Sequence, residues 1–354
     1  MKQLYSPYKA AHHLERIQAL REGSLIFPTQ VQVDLTNGCN HQCPYCFYRC
    51  ARNEELNAKF DLADTIPTER MLSLIDELVE AKVPAIQYTG GGEPLTHPDF
   101  YKILTHTIRK ELEWSLVTNG ALLQKCFVDF YKTATWIRIS VDAATPSTYA
   151  RSQGCPAEEF EKVCANIQAL VKNCPQTEIG LSFVVNPINY KEIVAFKKLA
   201  EDLGVQNIRY SVSYTPRGIE IFKEHWEEVL SLSREVRTSG NGKLQVFDMI
   251  ESHLEDLDMK RKGYSDCGYQ HFTAVVGANL ELYPCCTLKY SSCVSLGNLK
   301  EASFKDVWFG KARTDWLGSS YMKRVCNNKP CWMDKKNEFI SYLLSNNPPH
   351  INYI

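Results

Sequence analysis

Between residue 31 and about residue 215, short runs of β-branched, aromatic and aliphatic residues alternate with longer amphipathic stretches. That alternation predicts repeated βα units around a parallel sheet. Six strands are expected: VQVDL at 31–35, AIQYTG at 85–90, WSLVTN at 114–119, WIRISVD at 136–142, EIGLSFVV at 178–185 and NIRYSVSY at 207–214. The helices between them are as clear. TERMLSLIDELVEA sets Met71, Leu74, Ile75 and Leu78 on one face, with Thr68 following Pro67 at its start. PAEEFEKVCANIQALVKN and YKEIVAFKKLAEDLG repeat the spacing, and Gly204 stops the latter.

Six βα units fall short of the eight that close a TIM barrel. The expected fold class is α/β, a partial, open (β/α)6 TIM-like barrel over residues 31–240, preceded by a helical lead-in at 1–30. Residues 241–265 read as a connector containing a strand, a helix and a charged stretch. From 266 to 354 the alternation fades and the composition shifts to Cys, Tyr, Gly and Asn, which marks a small C-terminal cysteine-rich domain. In barrels of this kind the chemistry sits at the C-terminal ends of the strands. That rule puts NGCNHQCPYC, GGGEP, TNG and DAATPS on one rim.

Forty Lys and Arg against 41 Asp and Glu leave a formal net charge of −1, so no bulk attraction to nucleic acid or anionic membrane is expected. No run approaches the roughly eighteen apolar residues of a membrane span. The first residues, MKQLYSPYKAAHHLERIQALREG, are too polar for a secretory signal, and the expected compartment is cytoplasmic. Fourteen cysteines are many for a reducing compartment and point to metal or redox chemistry. They sit at 39, 43, 46 and 50, sparsely at 126, 155, 164 and 174, then at 267, 285, 286, 293, 326 and 331.

Cys39, Cys43 and Cys46 have the spacing C-x3-C-x2-C in a loop that follows a strand. Three thiolates on one short loop can face a single iron-sulfur cluster and leave one iron open; a zinc loop or a group of incidental buried thiols is the other reading. Cys50 stands outside the spacing as a structural or incidental thiol. The stretch resembles the signature of the radical S-adenosylmethionine (SAM) enzymes, C-x3-C-x-aromatic-C, with Tyr45 in the aromatic slot and as a neighbour of adenine. GGGEP resembles the family motif that holds the methionyl amino group of SAM, which implicates Gly90, Gly91, Gly92 and Glu93. A carboxylate pairs with an ammonium, and glycines admit close backbone approach. Asn119, Ser140 and Asp142 resemble the family positions that contact the ribose and carboxylate of SAM, and Arg151 is placed to pair with that carboxylate. Ordinary turn and cap chemistry is the alternative for these polar residues.

In CGYQHFTAVVGANLELYPCC, Cys267 and Cys285 bracket a hairpin with its turn at 277–279. With SLGNL, FKDVW and CNNKPC, this region is similar to the SPASM extension, or its shorter twitch form, which carries auxiliary 4Fe-4S clusters. Six cysteines after residue 260 are too few for two auxiliary clusters. The resemblance therefore implies one, held by Cys267, Cys285, Cys326 and Cys331, with Cys286 or Cys293 able to replace a ligand. A zinc module is the alternative, because zinc also takes four thiolates.

The activity implied by the resemblance is an oxidoreductase or isomerase. SAM at a three-cysteine 4Fe-4S cluster is reductively cleaved to a 5′-deoxyadenosyl radical, which takes a hydrogen atom from a small-molecule, sugar or nucleotide-type substrate. An external flavodoxin- or ferredoxin-type protein would supply electrons, and the auxiliary cluster would assist electron transfer. Two alternatives stay open: a maturase acting on a peptide or a nucleic acid base, and a non-catalytic metal-binding or electron-carrier protein. The lead-in helix is short for a separate peptide-recognition domain, which weakens the peptide reading. For the substrate cavity the candidates are Tyr88, Phe183, Arg209, Tyr210 and Tyr214, with ordinary core packing as the other reading.

Overall fold

The computed structural model describes residues 4–50, 57–124, 127–213, 223–238, 243–253, 262–319, 326 and 331–345. Every predicted strand forms within two residues of its expected ends: β1 Gln30–Asp34, β2 Ala85–Thr89, β3 Glu113–Thr118, β4 Trp136–Ser140, β5 Glu178–Val185 and β6 Asn207–Val212. Neighbours pair in parallel and in chain order. The helix Thr68–Glu80 buries Met71, Leu74, Ile75 and Leu78, as its periodicity requires. The helix Ile193–Leu203 ends where Gly204 takes a left-handed backbone, φ 75°.

The sheet is wider than the pattern predicts. Gln245–Asp248, in the expected connector, forms β7 and pairs in parallel with β6. This is the strand expected in the connector, and all four of its residues are half-buried at the edge of the sheet. From the cysteine-rich region, β8 (Thr273–Val276) pairs in parallel with β1, and β9 (Glu281–Tyr283) and β10 (Gly297–Asn298) follow in antiparallel. The order is β10-β9-β8-β1-β2-β3-β4-β5-β6-β7 in a single ten-stranded sheet. Among the described residues no helix is long and apolar enough to cross a membrane.

Strand alternation gives the sheet two unlike faces. One carries the row Val33, Tyr88, Leu116, Ile137 and Ile179, all fully buried against the helices. Three cavity candidates belong to this outer face and not to a cavity. Tyr88 hydrogen-bonds Thr107 on the helix Phe100–Arg109, the Tyr210 hydroxyl donates to the Ile193 carbonyl at 2.7 Å, and Phe183 packs on Phe196. Arg209, one residue before Tyr210, points the other way. Tyr214 lies outside the described residues. The inner face is polar: Gln32, Gln87 and Ser115 stand opposite one another, and Ser140, Ser182 and Arg209 form a row nearer the C-terminal ends.

A buried ion pair ties the cysteine-rich region to the start of the barrel. Lys289 Nζ lies 2.9 and 2.7 Å from the two carboxylate oxygens of Asp34, the last residue of β1. The Tyr290 hydroxyl adds contacts of 3.0 Å to Asp34 Oδ2 and 2.7 Å to Asn37 Oδ1. Burial opposes the charge on Lys289, but Asp34 and Tyr48 together outweigh it and hold the ammonium above its usual range.

Candidate active site

The loop after β1 carries the first cysteine group. Cys39, Cys43 and Cys46 are half-buried, and the Cys46 amide donates to the Cys43 carbonyl at 3.1 Å. The Cys43 thiol is raised above its ordinary range, first by burial, then by Asp142, Cys46 and Cys39. Burial likewise raises Cys39, with Glu93 and Cys46 adding to it. Cys46 acts on both Cys39 and Cys43, so the three sulfurs are close neighbours, and a cationic iron centre is what would stabilise them as thiolates. This donor set fits a three-cysteine iron-sulfur site. The side chain of Cys50 lies outside the described residues.

GGGEP docks directly on that loop. The Gly92 amide donates to the Thr36 carbonyl at 3.1 Å and the Glu93 amide to the Gly38 carbonyl at 2.9 Å. A Cβ on Gly92 would lie 2.0 Å from the Gly38 oxygen and 2.6 Å from Asn37 backbone atoms. The glycine here admits the cysteine loop itself. Gly92→Ala is accordingly expected to push the two rim loops apart and weaken SAM binding by at least roughly tenfold, the low end for lost site support, as equilibrium dialysis of the reconstituted protein would show.

Glu93 is buried and already carries three donors from its own chain. Thr118 Oγ1 and the Leu95 amide donate to Oε1 at 2.7 and 3.1 Å, and the Asn119 amide to Oε2 at 2.7 Å. Burial pushes its carboxyl up to about 7 despite those bonds. Glu93 thus ties the ends of β2 and β3 together, and one Oε2 acceptor direction remains for a further donor. Asn119 is held in turn, its side chain bonded to Asn40 at 2.8 Å and to the Ala121 amide at 3.0 Å.

Asp142, two residues beyond β4, adopts a left-handed backbone with φ 56°. Its carboxylate accepts from Tyr45 Oη and from the Val184 amide, each at 2.6 Å. Burial pushes this carboxyl up to about 6. The Tyr45 hydroxyl is thereby committed to Asp142, so the aromatic slot also fastens the cysteine loop to the β4 end. Ser140 sits on the inner face with its hydroxyl 3.2 Å from that of Ser182. Arg151 is not brought to the rim group: it is exposed, and its polar contact among the described residues is Thr148, one turn back on the helix Pro146–Gln153.

Two further residues complete the site. Gln153 is buried, with Oε1 3.1 Å from Cys43 Sγ, while Nε2 donates to Asp142 Oδ2 at 3.2 Å and the Val141 carbonyl at 3.1 Å. His41 lies between Glu159, 2.9 Å from Nε2, and Gln153, 3.3 Å from Nδ1. A glutamine inside a short amphipathic helix carries no motif. Its one visible sign is a polar residue at a position the helix buries.

The second cysteine group assembles from segments far apart in the chain. Cys267 is pushed up to about 12 by burial and then by Cys326, and Cys331 to about 12 by burial and then by Cys267 and Asp334. Cys285 rises well above its range through burial, then through Cys286, Cys326, Cys331 and Cys267. The four expected auxiliary ligands therefore share one neighbourhood, with Cys286 at its edge. Four half-buried cysteines gathered from such distant segments fit a fully ligated cluster.

The model of the radical SAM superfamily matches residues 33–200, and that of an iron-sulfur cluster-binding domain, SPASM, matches 267–332. The chain belongs to the radical SAM superfamily. Its cofactors follow: SAM and a 4Fe-4S cluster for the barrel, and auxiliary iron-sulfur chemistry for the SPASM segment. The chain is 28% identical over 304 residues to an AdoMet-dependent heme synthase of Methanosarcina barkeri, covering 79% of this chain and 82% of that protein. It is 24% identical over 304 residues to the PqqA peptide cyclase of Gluconobacter oxydans, covering 82% and 80%. In fold it is similar to Streptococcus suis SuiB bound to S-adenosylmethionine, with TM-score 0.63 and 14% identity over 93% of this chain and 80% of that one.

Proposed function

We propose that this radical SAM enzyme oxidises a polar small molecule held on the inner face of the barrel, between its two cysteine groups. Cys39, Cys43 and Cys46 hold the SAM-binding cluster in this reading, and Cys267, Cys285, Cys326 and Cys331 an auxiliary 4Fe-4S cluster. SAM and the first cluster, when bound and reduced, supply the means to remove a hydrogen atom from an unactivated C–H bond. The chain positions, orients and excludes water.

One observation carries the reading. Arg209, on the inner face, is close enough to both Asp142 and Cys286 for each to act on its charge. Arg209 thus lies between the SAM end of the barrel, through Asp142, and the auxiliary group, through Cys286. An oxidation needs an electron acceptor beside the substrate, and the second cysteine group stands there. Gln153 and Tyr45 fix Asp142 and the cysteine loop relative to each other, so the geometry is set before substrate arrives.

Glu93 supplies a pH test. Its folded-state carboxyl, at about 7, lies above its ordinary value, so ionisation is disfavoured until the pH passes that point. The ionised form attracts an ammonium group. SAM affinity is expected to rise as the pH is raised through about 7, and Glu93→Gln is expected to remove that rise.

A second reading, modification of a peptide, is supported by the PqqA peptide cyclase relationship across most of both chains. The two readings share the same cofactor chemistry. The two-cluster assignment on which the first reading rests is tested by anaerobic reconstitution of wild type and of Cys267→Ala/Cys331→Ala. Iron is expected to fall from about eight to about four per chain, while 5′-deoxyadenosine still forms from SAM without substrate. An unchanged iron content would remove the auxiliary site from these residues.

A further inference from the structure

Two arginines rise from the inner face, each with a buried Nε that donates to no acceptor. Arg138 lies in β4 and Arg209 in β6, strands separated only by β5. Arg209 is in register with Ser182, and Ser182 with Ser140, two residues beyond Arg138. Two strand spacings of about 4.8 Å and a two-residue offset put the backbone positions of the two arginines roughly 12 Å apart, close enough for their long side chains to converge on one small group. Arg138 lies over the Trp136 ring at 5.6 Å and Arg209 over the Tyr5 ring at 5.7 Å. Aromatic contact holds both flat without using an N–H.

The Nε of each arginine is buried and has no hydrogen-bond partner. Neither forms a salt bridge among the described residues. Burial, and then the neighbouring Arg138, lower Arg209 to about 9. Other groups around Arg209 add positive charge: Lys336 on the helix Asp334–Leu344 is itself lowered by burial and feels Lys9 and Arg209. His253 is pushed down to about 3 by burial, then by Arg209 and Lys335. The opposing groups are Tyr5, Asp142 and the Cys286 thiol, each with a weaker pull on Arg209 than the push of Arg138. Buried, unpaired charges of one sign are costly and persist where something else neutralises them.

The geometry points to an oxyanion site: Arg138 and Arg209 together clamp a carboxylate or phosphate group of the substrate, presenting its C–H bond between the two cysteine groups. Planar guanidinium forks match both groups in bidentate fashion, which a lysine cannot do. Ser140 and Ser182, side by side between the arginines, offer hydroxyls to the same oxygens. The substrate therefore belongs to the acidic small molecules. This assignment rests on the substrate placement proposed above.

The test uses the reconstituted full chain and isothermal titration with inorganic phosphate and, separately, malonate, against chloride at equal ionic strength. Wild type is expected to bind at least one of the two oxyanions and to keep that binding with SAM saturating. Phosphate alone would mark a phosphoryl substrate and malonate alone a carboxylate. Arg209→Gln and Arg138→Gln are expected to weaken binding by roughly 10- to 100-fold, the worth of a charge-assisted pair. Each is also expected to melt no lower than wild type without anion, because a repelling buried charge has gone, an effect opposite to that of a merely structural arginine. Arg209→Lys, which keeps the charge and loses the fork, is expected to bind at an intermediate strength. The proposal is overturned if neither oxyanion binds beyond the chloride control, if the Gln variants bind as wild type does, or if saturating SAM abolishes binding, which would assign the arginines to the carboxylate of SAM. Formation of 5′-deoxyadenosine by wild type without added anion reports on the radical reading separately.

Discussion

Replacing Cys39, Cys43 and Cys46 together by alanine is expected to reduce 5′-deoxyadenosine formation to background. The loss should exceed roughly 100-fold, the upper range for outer-shell changes at a metal site, because these are the proposed ligands themselves. Iron should fall by about half, since the second cysteine group is built from other segments. The prediction follows from geometry as well as from spacing. Burial and mutual repulsion make Cys39 and Cys43 poor thiolates on their own, so without iron they stay protonated and cannot serve as bare nucleophiles. Gln153 meets Cys43 on one side and Asp142 on the other, which fixes the loop to the barrel rim. Near-wild-type 5′-deoxyadenosine in the triple variant, measured by chromatography after anaerobic incubation with SAM and a strong reductant, would remove these residues from the chemistry.

Breaking the Asp34–Lys289 pair is expected to have the largest effect on stability. Both side chains are nearly inaccessible, at 0% and 4% exposure. Lys289→Met leaves a buried carboxylate whose main partner is gone, a loss of about 3–5 kcal/mol. For a chain of this size that corresponds to a fall of roughly 5–15 °C in melting temperature. Tyr290 cannot replace the lysine, because its single hydroxyl already lies between Asp34 and Asn37. Asn37 precedes the cysteine loop, so the damage should reach the SAM site and lower iron retention as well. The double variant Asp34→Asn/Lys289→Met removes both charges and is expected to recover part of the loss. Thermal melts of the three proteins check this, and a single-variant loss below about 1 kcal/mol, the range of an exposed pair, would show the junction to be solvent-screened.

The elements of the barrel were legible because each strand and helix announces itself within its own few residues. The alternation also held more than the cavity candidates took from it. Phe183 and Tyr210 lie on the apolar face with Ile179, Leu181 and Ile208, while Arg209 falls on the other, so parity alone separates the arginine from the tyrosine beside it. Width of the sheet was not legible. The strand in the connector and the hairpin strands were expected as elements, but not as members of this sheet: β8 finds its partner β1 about 240 residues back in the chain, a pairing no local pattern encodes.

At the site, the cysteines, the glycine run and Asp142 carry spacing signals, and the structure gathers them on one rim. Arg151 shares their segment of sequence but sits on an exposed helix position. Gln153 and Lys289 act through partners 110 and 255 residues away. Their importance arises only when the chain is folded, and nothing in their immediate surroundings marks them. Arg138 was equally silent, since a single charged residue in a strand usually faces solvent.

Electron paramagnetic resonance of the reduced, reconstituted chain, recorded with and without SAM, tests the central claim most directly. Two iron-sulfur signals are expected, of which one changes when SAM is added and disappears in the Cys39→Ala/Cys43→Ala/Cys46→Ala variant while the other persists. A spectrum that does not respond to SAM, or a SAM-responsive signal that survives in that variant, would contradict it.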